Sequence, residues 1–137
     1  MADLDVTLPD IPVAYVDGDP ARPLPEQAPA AFQALDRALG ALTGRHYYSA
    51  VLDGVYRACV ALGPDDTLGL PTWTVPGGRY AGRRIENWQR RLPEVRATLA
   101  ALRQRPDLDP GRPCLTHHED PSELLVLVPV VVPKISQ

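Results

Sequence analysis

Two apolar stripes of helical period, each followed by a hairpin pattern, leave this chain few architectures. In the first, apolar residues after Ala28 fall at Phe32, Leu35, Leu39 and Leu42, one face of a helix. Pro29 suits a first turn and Gly44 a stop. The second stripe is Trp88, Leu92, Val95, Leu99 and Leu102, and Pro93 in its path predicts that the regular helix begins near that proline. After the first stripe come "HYYSAVL" (46–52), the turn signal Asp53-Gly54, and "VYRACVAL" (55–62). After the second come "CLTHHE" (114–119), the turn "DPS", and "ELLVLVPVVV" (123–132). A strand precedes each helix: "IPVAYV" (11–16), and "TWTVPGGRYAGRRI" (72–85), extended but interrupted at Pro76-Gly77-Gly78.

The order is therefore strand, helix, strand, strand, twice over. It predicts an α+β fold, an antiparallel sheet with two helices on one face. Two narrow stripes cover one face only, so the other must be solvated or form a groove. The 137 residues suffice for one domain, 1–137, with a core over about 8–132.

Composition narrows the function classes. The chain is 45% apolar and 23% charged, as in ordinary globular proteins, and its net charge of −3 gives no reason to expect nucleic acid. "LLVLVPVVV" (124–132) is too short to span a bilayer. The acidic opening "MADLDVTLPD" has no apolar stretch of signal-peptide type. These features predict a cytoplasmic protein without a membrane partner, a monomer or weak homodimer. Cys59 and Cys114 lie in strand-like runs without metal-ligand spacing and read as reduced core thiols. Thirteen of the fourteen basic residues are Arg, a bias that argues against reading each Arg as functional.

Gly77 to Arg84 has the glycine spacing of a phosphate-cradling loop. That loop also needs a Lys, a hydroxyl and a helix directly after it. Arg83 and Arg84 stand at the side-chain positions and an extended run follows, so the glycines read as bend-makers beside a strand.

"GVYRACVAL" (54–62), "LPTWTVPGGRYAGRRIENW" (70–88) and "GRPCLTHHEDPSELLVLVPV" (111–130) resemble the GyrI-like effector-binding domain, the ligand module of drug-responsive AraC- and MerR-type regulators. The resemblance covers nearly the whole chain. It implies a doubled strand–helix–strand–strand fold, a groove for bulky, often cationic or aromatic compounds, and a role in multidrug binding, antibiotic resistance or transcription regulation. With both helices spent on the core, the chain resembles the stand-alone form. One stand-alone branch is implied to hydrolyse cyclopropane-bearing, DNA-alkylating natural products. A gyrase-inhibitor-type protein-interaction module is a further alternative.

The candidate ligand-binding residues are Tyr15, Tyr48, Tyr56, Trp73, Tyr80, Trp88 and His118. Rings with polar tips suit a wet-mouthed pocket, although plain packing competes for each, most strongly for Trp88 in the helical stripe. Tyr47 and Tyr48, like His117 and His118, are consecutive in strands and face opposite ways. The histidines therefore cannot chelate one metal, and neither metal nor cofactor is expected. Relatives are implied to carry acids where Leu125 and Thr116 stand here. The remaining candidate catalytic carboxylates are Glu86 and Glu123, relevant if the chain is an enzyme. Ser49, Ser122 and Ser136 lack nucleophile context, and the eight arginines of 79–105 read as a solvated surface. The expected partner is a small molecule, bound for sequestration, resistance or sensing.

Overall fold

A computed structural model describes residues 3–39, 46–52, 54–63, 68–118 and 122–131. Gly44, Leu42, Asp53 and most of "DPS" lie outside the described residues. The elements are β1 (Leu4–Leu8), β2 (Ile11–Asp17), α1 (Leu24–Leu39), β3 (Tyr47–Leu52), β4 (Val55–Ala61), β5 (Thr72–Val75), β6 (Gly78–Glu86), α2 (Leu92–Leu102), β7 (Cys114–His118) and β8 (Glu123–Pro129). All strands join one antiparallel sheet in the order β1-β6-β8-β7-β3-β4-β2-β5. The stretch β6-β8-β7-β3-β4-β2 is symmetric about the β7–β3 seam, so the doubled unit is real and its two hairpins meet at the centre.

The sheet curls because its two ends are made from the same two chain segments. Leu8 lies opposite Gly78, and Ile11 lies opposite Val75. Each segment advances three residues between those pairs, so one antiparallel register runs through both elbows, Pro9-Asp10 and Pro76-Gly77. One half of this ribbon continues into β8, the other into β4. Two-residue connections thus tie opposite ends of the sheet together, and the result is a half-barrel. At the crossing, the Gly77 N–H donates to Asp10 Oδ1 at 2.7 Å. A Cβ on Gly77 would lie 2.7 Å from Asp10 N, Leu8 O and Pro9 C, so only glycine admits this approach. The glycine pair is a bend, as its sequence suggests. The strand β1 was not expected, although Leu4, Val6 and Leu8 alternate as a half-buried strand should.

Both helices pack on one face. Ala31, Leu35 and Leu39 of α1 bury against Ala14, Ala58 and Val60. Leu102 of α2 buries against Ile85, Leu124, Val126 and Val128. Two details differ from the sequence reading. The helix α1 starts at Leu24, which puts Pro29 inside it. Buried Gln27 accounts for the earlier start: its Nε2 donates to Arg22 O and Gly54 O, and its Oε1 accepts the Tyr56 N–H, tying the first turn to the β3–β4 hairpin. Trp88 belongs to a separate 3-10 turn, because Asn87 adopts a left-handed conformation and Pro93 blocks backward growth of α2. Leu92 is consequently 45% exposed.

Among the described residues, no helix is long and apolar enough to cross a membrane.

Candidate functional site

Register assigns each strand residue to the helix face or to the inner face of the half-barrel. Tyr15 lies opposite Cys59, Cys59 opposite Tyr48, Tyr48 opposite His117, and His117 opposite Leu125. These five form one row across the inner face. Asp17, Arg57, Ala50, Leu115 and Leu127 form the row beside it. Trp73 enters from β5 opposite Val13. The buried cluster on this side contains strand residues only. It is held by apolar burial, roughly 25 cal/mol per Å².

Five aromatic side chains gather on this face. The Tyr48 and His117 rings stack at 4.4 Å with an 11° interplanar angle. His46 approaches His117 at 5.8 Å. Tyr15 and Trp73 are half-buried. Between them lies Arg57, its guanidinium carbon 3.8 Å from the Tyr15 ring centre and 5.0 Å from that of Trp73. Asp17 grips Arg57 with both oxygens, Nε to Oδ1 at 2.7 Å and Nη2 to Oδ2 at 3.1 Å. That pairing is the main cause that raises the Arg57 pKa and keeps it charged. Burial pushes the Cys59 thiol in the floor up to about 12, so it stays protonated.

The structure divides the sequence-derived candidates. Tyr15, Tyr48 and Trp73 share the inner face. Tyr80 points the same way but is 0% exposed, and its hydroxyl donates to Pro76 O. Glu86 and Glu123 are direct cross-strand partners. By register they also face inward, on a row beyond Leu125 and Arg84, and Arg84 lies 3.9 Å from Glu123. Tyr56, Trp88 and His118 are on the helix face. There Phe32 contacts Tyr56 at 6.0 Å and His118 at 5.2 Å, and Trp88 meets His118 at 5.2 Å. Burial pushes the Tyr56 phenol up to about 12, and it shares hydrogen bonds with Ser49 and Thr116. Thr116 therefore belongs to a buried hydroxyl group with Ser49 rather than to the inner face.

Arg57 and Asp17 belong to the inner face and were not singled out, and of the two consecutive histidines it is His117, not His118, that faces inward. Parity could have found Arg57: it stands two residues before Cys59 on a strand whose partner carries Tyr15 and Asp17. The Arg bias of the chain hides it. His117 shares its face with Tyr48 because antiparallel pairing matches those two residues, information that one strand alone does not carry.

Two clefts lie away from the rings. One of about 460 Å³ straddles the edge of β6 between Leu4, Arg83 and Glu94. Another of about 370 Å³ lies between α2 and the loop through Pro110 and Arg112. Neither gathers aromatic side chains. On the aromatic face, the Arg57 guanidinium occupies the space between Tyr15 and Trp73. Among the described residues, no three His, Cys, Asp or Glu side chains cluster as metal ligands would.

This is the architecture of a doubled half-barrel with one aromatic face on which no described helix packs. No family model and no curated sequence matches the chain. Among solved structures, the chain is similar to SAV2435 bound to tetraphenylphosphonium, with a TM-score of 0.61, 14% identity, and coverage of 96% of this chain and 94% of that one. It is similar to an integron cassette protein from Vibrio cholerae, with a TM-score of 0.67, 12% identity, and coverage of 96% and 97%. A hydrolase from Listeria innocua gives a TM-score of 0.56, 11% identity, and coverage of 95% and 92%. At these identities the likeness is one of fold.

Proposed function

We propose that the chain binds a bulky aromatic or heterocyclic small molecule across the inner face, for sequestration, resistance or sensing. One observation carries the reading: the register places Tyr15, Tyr48, Trp73 and His117 on the one face that no described helix covers. Tyr15, Trp73 and His117 are part-exposed and Tyr48 is buried behind them, so the rings offer flat surfaces and polar tips to a ligand without a large ordering cost. The neighbour solved with tetraphenylphosphonium supports this use of the fold.

Tryptophan fluorescence tests it. A panel of bulky aromatic compounds of either charge is expected to quench the protein, and Trp73→Phe to abolish the quenching. Trp88, on the helix face, serves as the internal reference. Quenching that survives Trp73→Phe would move the ligand off the inner face, and no response to any compound would remove the reading.

A second reading is hydrolysis of a reactive natural product. The facing pair Glu86 and Glu123 favours it, since Arg84 beside Glu123 leaves Glu86 placed to position water. The hydrolase neighbour is consistent with it. Incubation with a cyclopropane-bearing alkylator, followed by mass spectrometry, is expected to show turnover that Glu86→Gln abolishes. Intact compound at catalytic protein ratios sinks this reading.

A further inference from the structure

We propose that Arg57 sets the charge preference of the inner face, so that its ligand is an anionic aromatic molecule, such as a carboxylate or sulfonate on a fused or branched ring system. The inference rests on the binding reading above and names its ligand class.

An aromatic pair attracts a cation placed within about 6 Å of the ring centres. In this chain the seat is taken from within. The Arg57 guanidinium lies 3.8 Å from Tyr15 and 5.0 Å from Trp73. It is anchored rather than loosely draped, because Asp17 holds Nε and Nη2 in a two-point ion pair and the Arg57 side chain is 18% exposed. A cationic ligand would have to break that pair and expel the guanidinium to reach the rings. An anionic ligand keeps both, and takes Nη1, for which the described residues supply no hydrogen-bond acceptor. Guanidinium is well suited to planar acids, since its N–H groups form a fixed fork. The row that starts at Tyr15 runs to buried Leu125 rather than to an acid, and the inward-facing Glu86 and Glu123 lie beyond that row on the side away from Arg57, with Arg84 3.9 Å from Glu123.

Two ions of the same shape and opposite charge separate the possibilities: tetraphenylborate and tetraphenylphosphonium, titrated calorimetrically into the full chain. The wild type is expected to bind the borate at least about tenfold more tightly, the scale of one desolvated cation–ring contact. Arg57→Met empties the seat, leaves Asp17 unpaired beside the rings, and is expected to invert the order. Asp17→Asn keeps the guanidinium and frees its charge, so the borate preference is expected to widen. This second variant decides the matter if Arg57→Met fails to fold by circular dichroism. Equal affinities in the wild type, or a ratio unmoved by both variants, overturn the role of Arg57 while leaving the binding face intact. Binding of neither ion by wild type or variants overturns the binding face as well.

Discussion

The Arg112 guanidinium lies 4.9 Å from the Tyr80 ring centre and donates to the carbonyls of Gly77, Arg79 and Val130. Asp109 accepts from its Nε at 2.9 Å. One side chain thus joins the loop before β7, the elbow before β6 and the end of β8. Gly78, which opens β6 beside it, is required by its φ of +132°, a conformation that side chains rarely adopt, and a Cβ there would also fall 2.5 Å from Arg112 Nη1.

Arg112→Met is therefore expected to destabilise the fold by about 3 kcal/mol, since it leaves several partly buried acceptors without a charged donor. Urea unfolding measures this. Arg112→Lys is expected to recover less than half, because an ammonium cannot span the three carbonyls. A loss below about 0.5 kcal/mol would mean that water replaces the guanidinium at no cost, as at ordinary surface positions.

Gly77→Ala tests the crossing. The added methyl would meet only backbone atoms of Leu8, Pro9 and Asp10, so no rotamer change can relieve it. The expected cost is about 3 kcal/mol, at the upper end for overpacking, read as a lower urea midpoint. Because the elbows hold the ends of the sheet together, the variant is also expected to weaken ligand binding on the inner face. An unchanged midpoint would show that the ribbon can open at its crossing.

The doubled order was legible because helix stripes and hairpin turns are local signals, carried by Leu35, Leu39, Leu99, Leu102 and Gly54. The site was only half legible. Alternation says that Tyr47 and Tyr48 part ways, but not which of them meets the helices. That depends on Phe32 reaching Tyr47 from α1, a contact across the fold. The same limit kept Tyr56, Trp88 and His118 beside Tyr15 and Trp73 in the sequence reading, although the structure sets them on opposite faces. Arg57 escaped notice for a different reason. Its role is defined by Tyr15, Trp73 and Asp17, which lie on two other strands.

Gln27 gives a third test. Its amide satisfies Arg22 O, Gly54 O and the Tyr56 N–H while the residue is 1% exposed. Gln27→Leu conserves size and removes every one of these bonds. It is expected to cost about 2 to 3 kcal/mol, the scale of stranding buried backbone groups. Hydrogen exchange at the Tyr56 amide is expected to accelerate in step with it. Stability within about 0.5 kcal/mol of wild type would show that the first turn of α1 holds without this tie.

The last prediction concerns pH and the helix face. His118 sits between Phe32 and Trp88, and its Nε2 is buried without a hydrogen-bond partner among the described residues. Burial, with a smaller contribution from His117, lowers its pKa from 6.5 to about 4. The neutral ring is thus favoured in the folded state, while the unfolded chain takes up a proton as soon as pH falls through 6.5. Stability from this group is complete above pH 6.5, is lost between 6.5 and 4, and is level below 4. The loss is at most on the order of 3 kcal/mol, from about 1.4 kcal/mol per pH unit. Asp3, Asp107 and Asp109, whose carboxyls are held low chiefly by Arg83, Arg105 and Arg112, act in the opposite sense of charge and in a lower window. Their contribution is lost only as pH falls below the ordinary carboxylate value of 3.8. Urea midpoints from pH 8 to 4 are therefore expected to fall in the wild type and to stay nearly level in His118→Phe, which keeps the ring contacts and removes the proton site. Equal slopes in the two proteins would assign the acid sensitivity to a different group and place His118 where solvent can reach it.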